Sequence, residues 1–419
     1  MKKMLAVLIV SLLCLLILGA FAVSVSKSQS AIDWWPMFRH DLMHIGYSTS
    51  TVPDTNQTSW TYTTGLGVYS SPAVFDGILY AGSDDGNVYA LNATSGASVW
   101  TYPTEGSVES SPAVANGLVF VGSDDYNVYA LDATTGVSVW NYTTNGPVES
   151  SPAVANGTVY VGSVDGNLYA LSEDNGDMLW NYSVRGAFYS SPAVVDGVVF
   201  VGSVNDSIFA LNASSGAYIW NCPTQGHVES SPAVANGLVF VGSEDGEVYA
   251  LNSSIGKPKW TYATDAGVYS SPAVADGVVF VGSGDSNIYA LNALTGAYIW
   301  SFKTGGQVAS SPAVAGGLVF VGSTDDSIYA LNAANGNYVW SCTTGDAVWS
   351  SPAVANGRVY VGSADDKVYA FGVSSGSGSL SPVLTYAIII VVIIVLVAVI
   401  AIAYLAIRGR RQEQTGVRS

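Results

Sequence analysis

Residues 110–140 read SSPAVANGLVFVGSDDYNVYALDATTGVSVW, and this stretch recurs along the chain with small changes. Its opening Ser-Ser-Pro-Ala-Val occurs eight times, with the proline at positions 72, 112, 152, 192, 232, 272, 312 and 352. Its closing tryptophan also occurs eight times, at Trp60, Trp100, Trp140, Trp180, Trp220, Trp260, Trp300 and Trp340. Each unit is thus forty residues long, and an internal repeat of this length is typical of solenoids and propellers.

Each unit predicts four short β-strands. In the first unit they cover residues 68–75, 78–83, 88–92 and a fourth run that begins at 98, separated by turns rich in Asp, Gly and Asn. Pro72 falls in the first strand, and proline is tolerated at strand starts, edges and bulges. The innermost strand of a propeller blade has such a free edge. The tryptophan of the fourth strand is a large ring suited to pack between neighbouring blades.

The two ends of the repeat array complement each other. The last unit supplies three strands over residues 350–371, whereas the stretch around Trp60 supplies a fourth strand without three of its own. Together they predict one shared blade, which closes the ring and removes an exposed sheet edge. An open solenoid, the alternative, would leave both fragments unpaired. We therefore expect an all-β fold, a closed eight-bladed β-propeller of four-stranded blades over residues 58–373.

The turn before each tryptophan resembles a known family motif. Residues 130–140 match the tryptophan-docking motif A-x-D-x-x-T-G-x-x-x-W of pyrroloquinoline-quinone-type propellers, and residues 90–100 match it closely. The lead-in segment, 31–57, contains DWWPMFRHD at 33–41, which resembles the segment that precedes such propellers. The resemblance implies the fold, and it leaves two functions open, because the family includes quinoprotein dehydrogenases and BamB-like non-catalytic scaffolds.

Charge is distributed unevenly along the chain. The first thirty residues carry three lysines and no acid, and the tail after Ile407 carries four arginines and one glutamate. Each end therefore contributes +3 to the net charge of −17, and the body between them carries −23. An acidic body of this size repels phosphate backbones and argues against nucleic-acid binding.

Both termini contain apolar segments. Residues 1–22 predict a signal peptide, with an uncleaved anchor as the alternative. Residues 384–407 carry no charge and are long enough to span a bilayer, and the arginines that follow place the tail 408–419 in the cytoplasm. A Ser/Gly-rich linker, 374–383, joins this helix to the propeller. The sequence thus predicts a single-pass protein of the cell membrane, with an extracytoplasmic propeller that is anchored by its C-terminal helix.

An exported body also agrees with its glycosylation sequons and its few cysteines. Cys222 and Cys342 occupy the same repeat position three units apart, too distant across a ring to form a disulfide. We expect both to be small core residues. The eight sequons lie at Asn56, Asn92, Asn141, Asn156, Asn181, Asn205, Asn212 and Asn252.

The sequence disfavours catalysis. Pyrroloquinoline quinone is a polyanion that suits this acidic body poorly, the vicinal cysteine pair of the alcohol dehydrogenases is missing, and uniform units leave no long loop for a substrate lid. His40, His44 and His227 show no spacing of a metal site or triad. We therefore expect no cofactor, no metal and no catalytic residue. Acidic pairs such as Asp84-Asp85 are interpreted as turn residues, with calcium binding as the alternative.

The residue before each Ser-Ser-Pro changes in character between units, from aromatic to acidic to small. Because the fourth-to-first and second-to-third connections share one propeller face, these residues should surround one mouth of the central channel. Such a rim suits a protein or glycan partner on the face turned away from the membrane; the alternatives are a rim that only fills the channel mouth, a quinone-dependent dehydrogenase, and a structural envelope glycoprotein. The rim residues are Tyr69, Glu109, Glu149, Tyr189, Glu229, Tyr269, Ala309 and Trp349.

Overall fold

The computed structural model describes residues 33–53, 55–372 and 401. The expected signal peptide (1–22), linker (374–383), transmembrane helix (384–407) and cytoplasmic tail (408–419) lie outside the described residues, apart from Ala401. Within the described ranges, no helix is both long and apolar enough to cross a membrane.

The described residues form eight sheets, each with four antiparallel strands, so the predicted all-β eight-bladed propeller is confirmed. Two strands precede the first complete blade: β1 (Tyr47–Ser48) and β2 (Thr58–Thr63). Blades 1 to 4 contain β3 (Ala73–Phe75), β4 (Ile78–Gly82), β5 (Asn87–Asn92), β6 (Ser98–Pro103); β7 (Ala113–Ala115), β8 (Leu118–Gly122), β9 (Asn127–Asp132), β10 (Ser138–Thr143); β11 (Ala153–Ala155), β12 (Thr158–Gly162), β13 (Asn167–Ser172), β14 (Met178–Ser183); β15 (Ala193–Val195), β16 (Val198–Ser203), β17 (Ser207–Asn212), β18 (Tyr218–Pro223). Blades 5 to 8 contain β19 (Ala233–Ala235), β20 (Leu238–Gly242), β21 (Glu247–Asn252), β22 (Pro258–Ala263); β23 (Ala273–Ala275), β24 (Val278–Gly282), β25 (Asn287–Asn292), β26 (Tyr298–Lys303); β27 (Ala313–Ala315), β28 (Leu318–Ser323), β29 (Ser327–Asn332), β30 (Tyr338–Thr343); β31 (Ala353–Ala355), β32 (Arg358–Ser363), β33 (Lys367–Phe371).

Tight hairpins join the first and second strands of every blade. In blade 1 the turn is Asp76-Gly77, and both residues have positive φ angles, 47° and 80°. Two successive positive φ angles define the two-residue turn whose twist matches that of the strands, and Asp-Gly and Asn-Gly adopt it most easily. The other blades place Asn-Gly, Asp-Gly or Gly-Gly at the same position, which explains that part of the repeat.

The first strand of each blade is shorter than the sequence predicts. The expected strand over residues 68–75 contains regular ladder pairing only over Ala73–Phe75. Pro72 has no N–H to donate, and the Ser-Ser pair before it bonds to the neighbouring blade instead. The Ser71 amide donates to Ser111 Oγ at 2.9 Å, and the Ser70 hydroxyl donates to the Ser110 carbonyl at 3.1 Å.

This seryl contact recurs between every pair of adjacent blades. Each amide of the second serine donates to the Oγ forty residues further on, and the last bond, from Ser351 N to Ser71 Oγ at 2.9 Å, closes the circle. All sixteen serines are buried. A closed circle of hydrogen bonds therefore surrounds the channel and fixes the spacing of the eight first strands.

Tryptophans fill the outer wedges between blades. The Trp100 indole lies against the turn of the next blade, where its Nε1 donates to the Ala133 carbonyl at 3.0 Å. Gly136 makes room for the ring, since a Cβ on this glycine would lie 2.6 Å from Trp100 Cδ2. Equivalent bonds of 2.9 to 3.1 Å start from Trp60, Trp140, Trp180, Trp220, Trp260 and Trp300. The equivalent acceptor for Trp340 belongs to residue 373, outside the described residues.

Blade 8 is built from both ends of the array. Its strand order is β2-β33-β32-β31, and β2 pairs antiparallel with β33 from Thr58↔Phe371 to Thr63↔Lys367. The indole of Trp60 in β2 also packs against Tyr360 of β32, with ring centroids 6.0 Å apart. The predicted closure is thus confirmed, and the N-terminal strand becomes the outer strand of the last blade.

The lead-in segment runs through the central channel, a path that the sequence analysis did not predict. Its backbone carbonyls accept hydrogen bonds of 2.7 to 2.8 Å from the central residue of six first strands, namely Val74, Val114, Val194, Val234, Val274 and Val314. Strand β1 adds a short parallel fifth strand to blade 7.

The lead-in also buries two basic side chains. Arg39 is buried at the centre and donates to the carbonyls of Pro272 (2.9 Å) and Pro312. Burial lowers the pKa of Arg39 to about 9 and that of His44 to about 4.

The two cysteines of the body are free thiols, so the prediction that they do not pair is confirmed. Cys222 is buried in the outer strand of blade 4, as expected of a small core residue. Cys342 is only half-buried in blade 7, so its assignment to the core is too strong. The outer strand of a blade has a solvent-facing side, which accounts for the difference.

Gly136→Ala should destabilise the propeller more than Gly117→Ala. Both glycines have positive φ angles, 72° and 82°, so both substitutions carry similar backbone strain, about 1 kcal/mol. Only the Gly136 Cβ would collide with an indole, whereas nothing lies within 4 Å of the Gly117 Cβ, and overpacking adds about 1–3 kcal/mol. Urea unfolding of both variants measures the difference. Equal losses would contradict the role of the indole contact.

Replacing Thr58–Thr63 by a Gly-Ser stretch of equal length should lower the melting temperature more than the same replacement of Met178–Ser183. Both changes remove one outer strand and one tryptophan, a loss of several kcal/mol. In blade 3 the three remaining strands stay covalently connected to blades 2 and 4. In blade 8 the lost strand is the one that joins the N-terminal end of the array to its C-terminal end. Thermal unfolding of the two variants tests this, and a smaller effect in blade 8 would argue against closure as the main source of stability.

Candidate ligand-binding rim

Each rim residue is held between two buried anchors. Before Glu109, Val108 is fully buried and its amide donates to the Ser83 carbonyl of the preceding blade at 3.1 Å. After Glu109, Ser110 is also fully buried and its hydroxyl donates to the Ser150 carbonyl at 3.0 Å. The backbone is therefore fixed on both sides, and alternation along the extended chain leaves the intervening side chain at the channel mouth.

The eight predicted rim residues occupy equivalent places around the ring, on the face of the fourth-to-first connections. Glu109, Tyr269 and Trp349 are exposed, and the other five are half-buried. The side chains lie close to residues of other blades: the charge of Glu229 in blade 5 helps to raise the pKa of Glu149 in blade 3. The structure thus groups the carboxylates that the repeat separates by forty or eighty residues.

A second layer of acids, which the sequence analysis treated as turn residues, faces the same mouth. Asp84 and Asp124 lie in the second-to-third turns, and the Oδ1 atom of each is buried without a hydrogen-bond partner among the described residues. Burial raises the pKa of both carboxyls, and the charge of Asp124 raises that of Asp84 further. Glu244 holds the same repeat position in blade 5. The sequence contained a signal for this second layer, because the second-to-third turns lie on the same propeller face as the rim residues.

The aspartate at the next position of these turns, which is Asp85 in blade 1, has a structural role instead. Asp85 Oδ2 accepts hydrogen bonds from the Tyr89 hydroxyl (2.6 Å) and the Gly65 amide (2.6 Å), and Oδ1 accepts from the Asn87 amide (3.0 Å). Burial alone would raise the pKa of Asp85, but these donors lower it. Asp125, Asp165 and Asp285 have matching bonds and lowered pKa values. Asp365 accepts from Tyr369 and Gly345 and pairs with Lys367, and these partners lower its pKa. Where a turn has two acids, as in Asp84-Asp85, they therefore differ: the second bonds to neighbouring segments, and the first faces the mouth.

The rim glutamates hold their protons more tightly than ordinary glutamates. Burial, followed by the charges of Asp84 and Asp124, raises the pKa of Glu109 to about 7. Burial and the charges of Glu109, Asp124 and Glu229 raise the pKa of Glu149 to about 7. Burial and Glu244 raise the pKa of Glu229. These shifts mark a mouth with excess negative charge, which a cationic group would relieve.

Aromatic side chains share the rim with the carboxylates. Tyr69 lies between the blades that carry Glu109 and Asp366, and Tyr189 lies between Glu149 and Glu229; burial and these carboxylates raise the pKa of both phenols. Tyr269 and Trp349 present exposed rings on the remaining part of the circle. Aromatic faces bind ammonium and guanidinium groups, so they add to the cation preference of the carboxylates.

The rim does not suit the anionic quinone of the family. A polyanion needs lysine or arginine donors, and none of the eight rim positions carries one. Arg39, the cation inside the channel, is bound to the carbonyls of Pro272 and Pro312. A quinone carboxylate at the mouth would instead face Glu109, Glu149 and their acidic neighbours.

Comparison with known proteins places the fold in a defined family. The structure resembles BamB from Moraxella catarrhalis (TM-score 0.68, 19% identity, 76% of this chain and 99% of that one), the quinohemoprotein alcohol dehydrogenase of Comamonas testosteroni (0.72, 17%, 82% and 81%) and a europium-containing methanol dehydrogenase (0.72, 15%, 81% and 98%). At such identities these likenesses show the fold alone. No curated protein sequence matches the chain significantly. The sequence model described as outer membrane protein assembly factor BamB matches residues 49–192, 187–271 and 263–380. Because this match spans most of the chain, the protein belongs to the BamB-like family of pyrroloquinoline-quinone-like repeat propellers.

Proposed function

We propose that this protein is a non-catalytic binding scaffold whose rim captures a basic segment of a partner protein. The observation that carries the proposal is the cluster of carboxylates at the channel mouth: Glu109, Glu149 and Glu229, with Asp84 and Asp124 beside them. Their raised pKa values express mutual repulsion and burial, and a Lys- or Arg-rich segment would relieve both.

The rigidity of the rim supports this proposal. Each side chain stands on a backbone that is hydrogen-bonded on both sides, so little conformational freedom is lost on binding. The lead-in segment occupies the channel along the first strands, on the inner side of the rim. An acidic and aromatic mouth suits a peptide loop, with cationic side chains over the aromatic rings.

The cellular setting is part of the same proposal. A signal segment at 1–22, an apolar segment at 384–407 followed by arginines, and eight sequons favour a glycosylated propeller that is anchored in the cell membrane and faces outward. The BamB-like family of this chain favours a protein partner over a glycan. Affinity capture on native membranes, followed by mass spectrometry, would identify that partner.

The fold likeness to alcohol and methanol dehydrogenases keeps a quinone-dependent dehydrogenase as the second candidate. The acidic rim argues against it, because the cofactor is itself an anion. The absorbance spectrum of the purified chain after addition of pyrroloquinoline quinone and calcium separates the two functions. Stoichiometric retention of the cofactor, with oxidation of an alcohol, would favour the dehydrogenase.

The triple variant Glu109→Gln, Glu149→Gln and Glu229→Gln should bind a Lys/Arg-rich peptide about 10- to 100-fold more weakly than the wild type. Three ion pairs at a partly exposed site contribute about 0.5–1 kcal/mol each. Binding to the wild type should also weaken as salt is added. Fluorescence anisotropy with a labelled basic peptide and an acidic control peptide measures both effects.

The matched control is Asp76→Asn, Asp196→Asn and Asp276→Asn. These exposed acids lie in the first-to-second turns on the opposite face, where asparagine also tolerates the positive φ angle, and the change in net charge is the same. This control should retain the wild-type affinity. Equal losses in the two variants would reduce the effect to general electrostatics, and no loss in either would favour a purely structural role for the propeller.

The stability difference between this rim variant and the wild type should depend on pH. A glutamate with an ordinary pKa of 4.5 in the unfolded chain and about 7 in the folded chain binds protons more tightly when folded. Its contribution to stability is therefore present below about pH 4.5 and is lost as the pH rises to 7. The variant should melt near the wild type at pH 4 and above it at pH 8. A difference in melting temperature that stays constant across this range would contradict the shifted pKa values.

A further inference from the structure

A histidine and two glutamates converge at the rim of blade 5. One donor atom from each of His227, Glu229 and Glu244 lies within 4.8 Å of the other two, and His227 Nδ1 is 3.6 Å from Glu244 Oε2. Tetrahedral zinc, with ligand distances of about 2.1 Å, separates its donor atoms by about 3.4 Å. The His227 and Glu244 donors are thus nearly at this spacing, and a Glu229 donor lies within 4.8 Å of both.

The fold holds these three positions together in every blade. The Glu244 amide donates to the His227 carbonyl at 2.9 Å, which ties the second-to-third turn to the connection that carries His227 and Glu229. The equivalent bond joins Asp84 to Gly67 (3.0 Å) and Asp124 to Ser107 (2.9 Å). The backbone geometry of the cluster is therefore a property of the repeat, and the side chains alone distinguish one blade from another.

Blade 5 is the unit in which all three positions carry metal-ligating side chains. In blade 2, which comes nearest, the equivalent residues are Ser107, Glu109 and Asp124, so the nitrogen donor is missing. The equivalents in the other blades are Gly67, Tyr69 and Asp84; Pro147, Glu149 and Val164; Ala187, Tyr189 and Val204; Gly267, Tyr269 and Gly284; Gln307, Ala309 and Thr324; Ala347, Trp349 and Ala364.

The two carboxylates of the cluster have no lysine or arginine partner among the described residues. His227 is half-exposed and lies 3.6 Å from Glu244. Glu229 and Glu244 therefore place two like charges close together beside one imidazole. A bound dication would neutralise both carboxylates and accept the lone pair of the imidazole.

We propose that His227, Glu229 and Glu244 bind one divalent transition-metal ion of the zinc type at the rim. An imidazole nitrogen selects zinc and its neighbours over calcium and magnesium, which prefer oxygen ligands alone. Three protein ligands leave a fourth position for water or for a donor group of a bound molecule. This site goes beyond the capture of a basic segment, because it concerns the metal alone and requires no partner.

Titration of the untagged, chelator-stripped full-length chain with Zn²⁺ tests the proposal. Isothermal titration at pH 7.5 with excess Mg²⁺, which occupies scattered carboxylates, should show one saturable site. His227→Ala and Glu244→Gln should each weaken Zn²⁺ binding at least about tenfold, the loss that even an outer-shell substitution causes at a metal site. Co²⁺ in place of Zn²⁺ should give visible absorption bands that His227→Ala removes.

Asp276→Asn is the matched control, because it removes one exposed carboxylate from the opposite face of the propeller; its Zn²⁺ affinity should equal that of the wild type. Melting curves in chelator show whether each variant folds, and since His227 is half-exposed we expect no change there. Absence of a saturable site in the folded wild type, or equal Zn²⁺ affinity in the wild type and His227→Ala, would overturn the proposal. Neither result bears on peptide capture, which is measured without metal.

Discussion

The structure depends on the closure of a ring. Around the channel, each Ser-Ser pair bonds to the next, and the eighth pair bonds back to the first through Ser351 and Ser71. At the perimeter, β2 pairs with β33, and the Trp60 indole bonds to the Ala93 carbonyl of blade 1. These contacts also join the last blade to the first. A repeat array without these contacts would end in two exposed sheet edges and an incomplete blade. Once closed, every blade has two neighbours, and every first strand has a fixed distance from the axis.

Closure also explains how a repetitive chain produces a specific surface. The framework positions, Val108 and Ser110 beside the rim and Gly136 beneath the indole, repeat because each meets the same surroundings in every blade. The residue between two such anchors touches no framework contact and is free to vary. The ring gathers eight of these free positions at one mouth. Carboxylates that are dispersed along the chain thus meet closely enough to shift one another's pKa.

This separation of framework and rim explains how one fold supports different functions. Propellers with BamB, alcohol dehydrogenase and methanol dehydrogenase functions share the fold at 15 to 19% identity. The fold supplies a rigid circle, and function depends on what stands on it. In this chain the rim is acidic and aromatic, and the lead-in segment fills the channel below it. Both features favour capture of a cationic group at the mouth over insertion of an anionic cofactor.

The fold followed from the sequence, because forty-residue periodicity, Asp-Gly turns, strand prolines and a lone N-terminal strand leave little choice but a closed eight-bladed ring. The rim positions were also accessible, since strand alternation and connection topology determine which residues reach the mouth. Other features depended on tertiary contacts. Asp84 and Asp85 are neighbours with similar chemistry, yet only Asp85 meets Tyr89 and Gly65, and these partners come from different places in the chain. The path of the lead-in through the channel likewise follows from contacts with several blades. The approach of Glu244 to His227 follows from the packing of a turn against the connection that leads into the same blade. A repeat in sequence specifies local structure many times over, whereas the contacts of an individual side chain are decided only when separate segments pack against one another.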